Sequence, residues 1–439
     1  MNRLINRIAL VAIVAAPVWG DTTPGLTLET CLQAARATHP AAEAAEHRIR
    51  AAAAAIDEVR AGFLPTVSLS GMYTRTDNPP QAFFMQLNQR RASFDQDFNQ
   101  PDDTENLRLS ALARITLLDG GQRTVSMRMA GLQALSASER AEAVYQELTF
   151  HVTRAFYLLQ QARENLRVQE AHVERIRENL RVARARHDAG AALKTDVLHL
   201  EVQEAEAAEQ LIRAGNQARL AISALNTAIG STLVDNATPL ALDPQSPLPD
   251  LPGLNSSDLE RRPEWAAWNH ETEAGALDVE RIRRDRWPRL SAFGSVDWDS
   301  EVSSDFEQSY LAGAVVEWDA FTGYRRRSEQ ARAEARRLEL EAGRRQLEQQ
   351  LALELEQAYF NAHEARERLE VARRATVSAG EAYRITRSRY EEGAADITEL
   401  LTAQVGLTAA ETRGLNARYD YLTALANYQR ARGGATTPE

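Results

Sequence analysis

The feature that most restricts what this chain can fold into is a segment that it carries twice. Arg186-His187-Asp188-Ala189-Gly190-Ala191-Ala192-Leu193-Lys194-Thr195-Asp196-Val197-Leu198 returns as Arg389-Tyr390-Glu391-Glu392-Gly393-Ala394-Ala395-Asp396-Ile397-Thr398-Glu399-Leu400-Leu401, at an offset of about 203 residues. In each copy a lone glycine among small residues separates two long helical patterns, and a Thr-Asp or Thr-Glu pair precedes the new apolar run. One helix ends and another begins in this way. Each copy is therefore expected to be the tip of a helical hairpin, in a chain built of two related halves.

Composition supports long helices over compact globules: aromatics are only 6%, while Ala, Glu, Arg, Leu and Gln dominate the helical tracts. The net charge of −11 is spread as interspersed acids and bases, without the basic face that nucleic acid would require. Arg3 and Arg7 followed by the apolar run from Ile8 to Ala16 match a secretory signal peptide over residues 1–20, with cleavage expected after Gly20. That run is too short to cross a bilayer. Cys31 is the single cysteine, so no intrachain disulfide can form; it lacks the small-residue context of a lipidation site and reads as a small buried helix residue. No later stretch is long and apolar enough for a transmembrane helix, so any membrane entry must be by strands.

From Leu26 to about Arg60 the pattern is helical, with Thr27 as the cap and an interruption at Pro40. Gly62-Phe63-Leu64-Pro65 stops it. Val67, Leu69 and Tyr73 then alternate with Thr66, Ser68 and Ser70, and further on Leu107, Leu109, Ala111, Ala113, Ile115 and Leu117 alternate with Arg108, Ser110, Arg114 and Thr116. Both are two-faced strands. Between them Asp77 to Asn106 reads as a long polar loop carrying Phe83, Phe84, Phe94 and Phe98, either a solvated cover or a lid over a pore.

Asp119-Gly120-Gly121 ends the second strand. A helix from about Arg123 to His187 follows, with Leu148, Val152, Leu159, Leu166, Val173 and Leu180 among its apolar positions in 3-4 spacing, a coiled-coil seam roughly 100 Å long. The returning helix runs from about Thr195 to Ile229. Pro239, Pro244, Pro247, Pro249, Pro252 and Pro263 mark residues 234–263 as a connector between a first repeat at 21–233 and a second at 264–439. In the second repeat Trp287-Pro288 precedes a strand from Leu290 to Asp299. A second strand runs from Tyr310 to Trp318, and long helices run from about Tyr324 to Tyr390 and from about Thr398 toward Arg432. Two repeats supply four strands, too few to close a barrel, so several chains must contribute.

Leu26-Thr27-Leu28-Glu29, Gly62-Phe63-Leu64-Pro65, Trp287-Pro288, Asp119-Gly120-Gly121, Thr322-Gly323 and the two tips, in this order and duplicated, resemble the TolC family of outer-membrane efflux and secretion ducts over essentially the whole mature chain. The resemblance implies a mainly α fold with a small β part. In it a long coiled-coil α-helical barrel adjoins a transmembrane β-barrel of four strands per protomer, closed as a homotrimer of twelve strands in outer-membrane lipid. It also implies a channel serving a tripartite efflux pump or type I secretion, docked to a periplasmic adaptor and an inner-membrane pump of RND, ABC or MFS type.

Carried over by motif, Tyr390 matches the family's gate tyrosine, Thr195 and Asp196 its partners on the other hairpin, and Glu399 the first constriction acid. Thr402 stands where some members have a second acid, and Ala395 where some have a gate arginine. Asp196 and Glu399 are equally open to a reading as first-turn acids that stabilise helix N-termini. Gly190-Ala191 and Gly393-Ala394 suit adaptor docking, although a turn needing positive φ explains the glycines as well. No His-Glu-x-x-His occurs and the histidines are scattered, so neither enzyme nor metal chemistry is indicated, and no cofactor is implied. The rival reading is a secreted coiled-coil or adhesin-like scaffold.

Overall fold

The computed structural model describes residues 26–93, 95, 97, 99–232, 248–301 and 305–434. The expected leader at 1–20, Phe94, Phe98 and the connector from 234 to 247 lie outside the described residues.

Two helices open the chain, α1 (Leu28–Thr38) and α2 (Pro40–Ala61). Thr27 caps α1 as its sequence predicts: its hydroxyl accepts the Thr30 N–H at 3.2 Å, and the Thr30 hydroxyl accepts the Thr27 N–H at 3.1 Å. Pro40 starts the second helix, where its missing N–H costs nothing. His39 Nδ1 accepts the next amide, that of Ala41, at 3.1 Å.

The strands β1 (Thr66–Thr76), β2 (Thr104–Leu118), β3 (Arg289–Ser300) and β4 (Glu307–Glu317) form one antiparallel sheet in sequential order. Directly opposed residues share a face. Leu69↔Ala111↔Val296↔Tyr310 therefore define an apolar face, and Ser70↔Ser110↔Asp297↔Ser309 with Arg108↔Asp299↔Glu307 a polar one. The expected alternation holds, and β1 and β4 remain unpaired at the sheet's two edges.

The segment expected as a loop from Asp77 to Asn106 contains a helix, α3 (Pro79–Asn88). Asn78 caps it by accepting the Gln81 N–H at 3.4 Å, and Pro79 and Pro80 occupy the first turn, which needs no amide donors. The prolines that mark a breaker in sequence are a helix start here.

Below the sheet stand α4 (Gln122–Asp188) and α5 (Lys194–Ile229), then α6 (Pro263–Arg284), α7 (Arg325–Glu391) and α8 (Ile397–Ala431). The two long helices have the same length, 67 residues. Seam residues Val152, Leu159, Ile176 and Leu180 of α4, and Leu351, Leu355 and Leu369 of α7, are buried as their spacing predicts. At the root of α4, Gly120 has φ +65°, and a Cβ there would lie 2.8 Å from the Trp287 Cβ, so both backbone and neighbour demand glycine. Asp119 holds the turn by accepting the Gly121 N–H at 3.0 Å and the Arg123 N–H at 3.1 Å.

Cys31 is fully buried among Leu32, Leu148, Val152 and Leu225, and burial pushes its thiol up to about 11. The described end of the connector packs against the helices. Leu248 and Leu251 lie against the α8 clusters, and Tyr421 and Tyr428 donate hydroxyls to the carbonyls of Pro249 (2.6 Å) and Gly253 (3.0 Å). A proline-rich strand of chain has few donors but keeps its acceptors, which side chains can use.

Arg262 anchors this junction. It is 2% exposed and donates to Glu264 (2.9 and 3.0 Å), Glu354 (3.1 Å) and the Ala431 carbonyl (3.1 Å), tying α6 to α7 and to the end of α8. Burial opposes both charges, but their hydrogen bonds and mutual attraction raise the guanidinium and hold the Glu264 carboxyl below its usual range. The carboxylate's contribution is therefore complete above the ordinary glutamate range and is lost as pH falls through the depressed value. Arg262→Met should cost about 3 kcal/mol, toward the low end for a broken buried pair because the stranded carboxylates keep some water contact. An unchanged melting temperature in detergent at neutral pH would refute this.

Candidate functional site: the paired helix tips and the sheet above them

Both tips are built by one rule. After α4, Gly190 takes φ +74° and the N–H of Ala191 donates to the Arg186 carbonyl at 2.7 Å; after α7, Gly393 takes φ +80° and the N–H of Ala394 donates to the Arg389 carbonyl at 2.7 Å. This is the left-handed closure that satisfies the last carbonyls of a helix. A Cβ at Gly190 would meet nothing within 4 Å, so its dihedral angle, not crowding, selects glycine. Arg186 and Arg389 each brace the turn beyond them, donating to the carbonyls of Ala191 (3.4 Å) and Ala394 (3.0 Å). Gly190, Ala191, Gly393 and Ala394 are all exposed.

The side chains then diverge. Asp196, third residue of α5, reaches back to accept the Leu193 N–H at 3.3 Å, the half of a capping box that a first-turn acid supplies, while Leu193 at the cap position has no side-chain acceptor for the other half. The second tip has Asp396 at that position. Asp396 accepts the Glu399 N–H at 2.8 Å, and the Glu399 carboxylate, unlike that of its counterpart Asp196, turns to an arginine and not to the cap amide. That arginine is Arg389, at 3.4 Å, with both side chains about half exposed. Such a pair contributes under about 1 kcal/mol. Thr195 and Thr402 are exposed, and Thr402 returns its hydroxyl to the Thr398 carbonyl at 2.7 Å.

Tyr390 departs furthest from its counterpart. His187 stays within its own turn, 3.1 Å from the Ala192 carbonyl, whereas the Tyr390 ring is buried between the hairpins with Val197, Leu200, Ile397 and Leu400. The Tyr390 hydroxyl has no hydrogen-bond partner among the described residues, so neither Thr195 nor Asp196 bonds to it. Burial raises its pKa, the Arg186 charge opposes that rise, and Asp196 adds to it.

At Tyr390 the polar tie between hairpins is made instead by Arg186, which the sequence reading did not single out. Its guanidinium lies 4.9 Å from the Tyr390 ring centroid and donates to the Tyr390 carbonyl. The available signal was its place in the repeat, opposite Arg389.

Further from the tips one stretch of the contact between α4 and α8 is polar, before Tyr157 of α4 meets Tyr419 of α8 in an apolar cluster. Asn179 donates to Gln404 at 2.6 Å beside Tyr383, His172 Nδ1 meets the Thr408 hydroxyl at 2.9 Å, and Arg175 pairs with Glu411 at 2.8 Å. Burial, aided by Arg175, lowers the His172 pKa and favours its neutral form. Asn179 and Gln404 were also missed, since a search for apolar positions passes over buried amides.

At the opposite end, the sheet's apolar face is bounded by aromatic residues. Tyr73, Trp298 and Tyr310 lie toward the strands' loop ends, and exposed Phe63, Trp287, Trp318, Phe321 and Tyr324 cluster where the strands meet the helices. An apolar band between two aromatic belts is the surface a strand presents to a bilayer. No described helix is long and apolar enough to cross a membrane.

A membrane-embedded sheet standing on long helical hairpins defines an outer-membrane conduit. The sequence profile of the outer membrane efflux protein family matches residues 31–231 and 254–434, and the chain belongs to that family. It is thus an outer-membrane efflux or secretion channel of a Gram-negative bacterium, not an enzyme, with most of its length in the periplasm.

Among relatives, the pyoverdine export outer membrane protein OpmQ of Pseudomonas aeruginosa is 28% identical over 321 residues, 72% of this chain and 67% of that protein. CyaE of Bordetella pertussis is 28% identical over 410 residues, 90% of this chain and 82% of that protein. The crystal structure of the Campylobacter jejuni CmeC outer membrane channel shares the fold, with a TM-score of 0.79 at 16% identity over 100% of this chain and 96% of that one.

Arg186→Ala should leave global stability nearly intact but remove about 2 kcal/mol from the tip contact. Amide exchange at 186–200 and 389–400 should quicken roughly thirtyfold. Exchange unchanged at both tips would show that Arg186 does not join the hairpins.

Proposed function

We propose that three copies of this chain close into one duct, a twelve-stranded barrel in the outer membrane above an α-helical conduit, through which cargo leaves passively. The observation that carries this reading is a protomer with two unmet sides. Across the protomer the helices follow the order α5, α4, α8, α7. The outer two carry bare apolar stripes: Leu198, Val202, Ile212 and Leu220 on α5, and Leu353, Phe360, Val371 and Ile385 on α7. Each set recurs at near-whole helical turns and falls on one face. The unpaired edges of β1 and β4 lie above them, and lipid penalises each unsatisfied backbone group by several kcal/mol. Joining the α5 side of one copy to the α7 side of the next is a head-to-tail contact, which a ring satisfies completely. The number three comes from the family resemblance.

The tips form the inner end of the duct and its gate. Three copies of Glu399, whose carboxylate does not turn back to the cap, converge on the axis, where like charges repel one another and attract cations. Arg186 on Tyr390 fastens the α7–α8 hairpin to the α4–α5 hairpin, and an iris-like opening separates them at the tip end of the α4–α8 contact. Thr195, Asp196 and Thr402 lie around that opening. The exposed turns at Gly190, Ala191, Gly393 and Ala394 receive a periplasmic adaptor, behind which an inner-membrane pump of RND, ABC or MFS type drives export. The relative OpmQ is named for pyoverdine export, and a small exported molecule is one cargo class compatible with such a duct.

Outer-membrane fractions should contain detergent-resistant, heat-modifiable trimers. Ala191→Trp with Ala394→Trp should preserve those trimers while stopping export. A soluble elongated monomer would sink the duct, and normal export from the double variant would sink docking at the tips. Glu399→Ala should lower cation selectivity in planar-bilayer recordings, and unchanged selectivity would remove Glu399 from the gate.

A further inference from the structure

Helix α3 lies over the polar face of the sheet, not beside it. Gln89, just after the helix, donates to the Asn106 side-chain oxygen and the Glu105 carbonyl, both at 2.8 Å. Asn106 in turn donates to Asp299 at 2.6 Å, and Arg108 Nε donates to the same carboxylate oxygen at 2.8 Å. Arg108 and Asp299 are directly paired on the polar face, and Asn106, two residues before Arg108, shares it. Thr104, Asn106 and Asp299 are at most 2% exposed. Two further ties reach the other strands: Arg90 donates to the Gln308 carbonyl at 3.3 Å and pairs with Glu307 at 3.2 Å, and Arg91 pairs with Glu301.

This buried polar base leaves the opposite side of α3 bare. Phe84 and Leu87, one turn apart, are 62% and 41% exposed, and nothing among the described residues covers them. Scattered apolar side chains on a surface need no explanation. A pair raised on a helix that is fastened by fully satisfied polar groups is different, because the fold invests in holding it in place.

We infer that α3 is an apolar constriction inside the outer mouth of the duct, with Phe84 and Leu87 as its rim and Gln89, Asn106 and Asp299 as its mount. The inference rests on the closed-barrel reading above, in which the polar face is the interior. Three copies of α3 then bring Phe84 and Leu87 toward the axis. A narrow apolar ring resists water, hydrated ions and bulky polar solutes by dewetting, yet yields to amphipathic or apolar cargo that displaces that water. The duct then has two selective ends of opposite character, a charged ring at the tips and an apolar one at the cell surface.

The test uses the exposed polar-face residue Ser70, paired with Ser110 and nearer the helix end of β1 than the loop end that carries α3. In intact cells carrying Ser70→Cys, a small methanethiosulfonate and a polyethylene-glycol maleimide are applied from outside; Cys31 is buried and does not compete. The small reagent should label the parent readily and the bulky one slowly. Phe84→Ser with Leu87→Ser, both at exposed positions and so neutral for folding, should speed the bulky reagent by about tenfold. Gln89→Ala, which loosens the mount, should speed it as well. Equal bulky-reagent rates in parent and variants would overturn the constriction while leaving the barrel standing. Failure of the small reagent in every background would overturn the interior assignment itself, and the constriction with it.

Discussion

Everything in this protein depends on the demand that backbone N–H and C=O groups be paired where lipid replaces water. Four strands meet that demand between β1 and β4 but not at their outer edges. The shape beneath follows the same incompleteness. The helix order α5, α4, α8, α7 leaves an apolar stripe on each flank, directly below the open strand edges. In the closed ring proposed above, these unmet surfaces are where neighbouring copies meet.

The helical contacts divide by chemistry. Inside each hairpin they are apolar, with leucine and alanine along α7 and α8 and the same along α4 and α5. Between hairpins a polar stretch, through Asn179 and Gln404, His172 and Thr408, and Arg175 and Glu411, lies between apolar contacts at Tyr390 and Leu400 on one side and at Tyr157 and Tyr419 on the other. Polar contacts exchange for water at small net cost, whereas separating an apolar seam costs the full burial. The polar stretch is therefore the part of the line between hairpins that separates at least cost, and the apolar clusters on either side of it hold that line closed. The Gln404 amide nitrogen and the Tyr390 hydroxyl, buried there without partners among the described residues, leave this arrangement short of its hydrogen-bonding optimum.

The sequence displayed whatever was periodic. Helix ends at Gly190, Gly230 and Gly393, the seam of α4 and the strand alternation at β1 and β2 were readable because each repeats a local rule. What escaped was contextual. Pro79 and Pro80 are the same residues in a loop or at a helix start, and only Asn78 in capping position decides between them. Likewise Asp196 and Glu399 look equivalent until Leu193 is compared with Asp396, one of which can cap a helix and one of which cannot. Arg186 was invisible for another reason: its contact with Tyr390 spans the two repeats, and no spacing within either repeat encodes it.

The equal lengths of α4 and α7 carry a consequence for size. With 67 residues each and a rise of about 1.5 Å per residue, they act as matched rulers, setting both tips at one level roughly 100 Å below the sheet. Shortening one ruler alone would tilt the inner rim. Shortening all of them by whole heptads would preserve every seam and still leave the duct hanging too high. The reach of this protein is therefore a heritable dimension, and its periplasmic partners must be cut to the gap that remains.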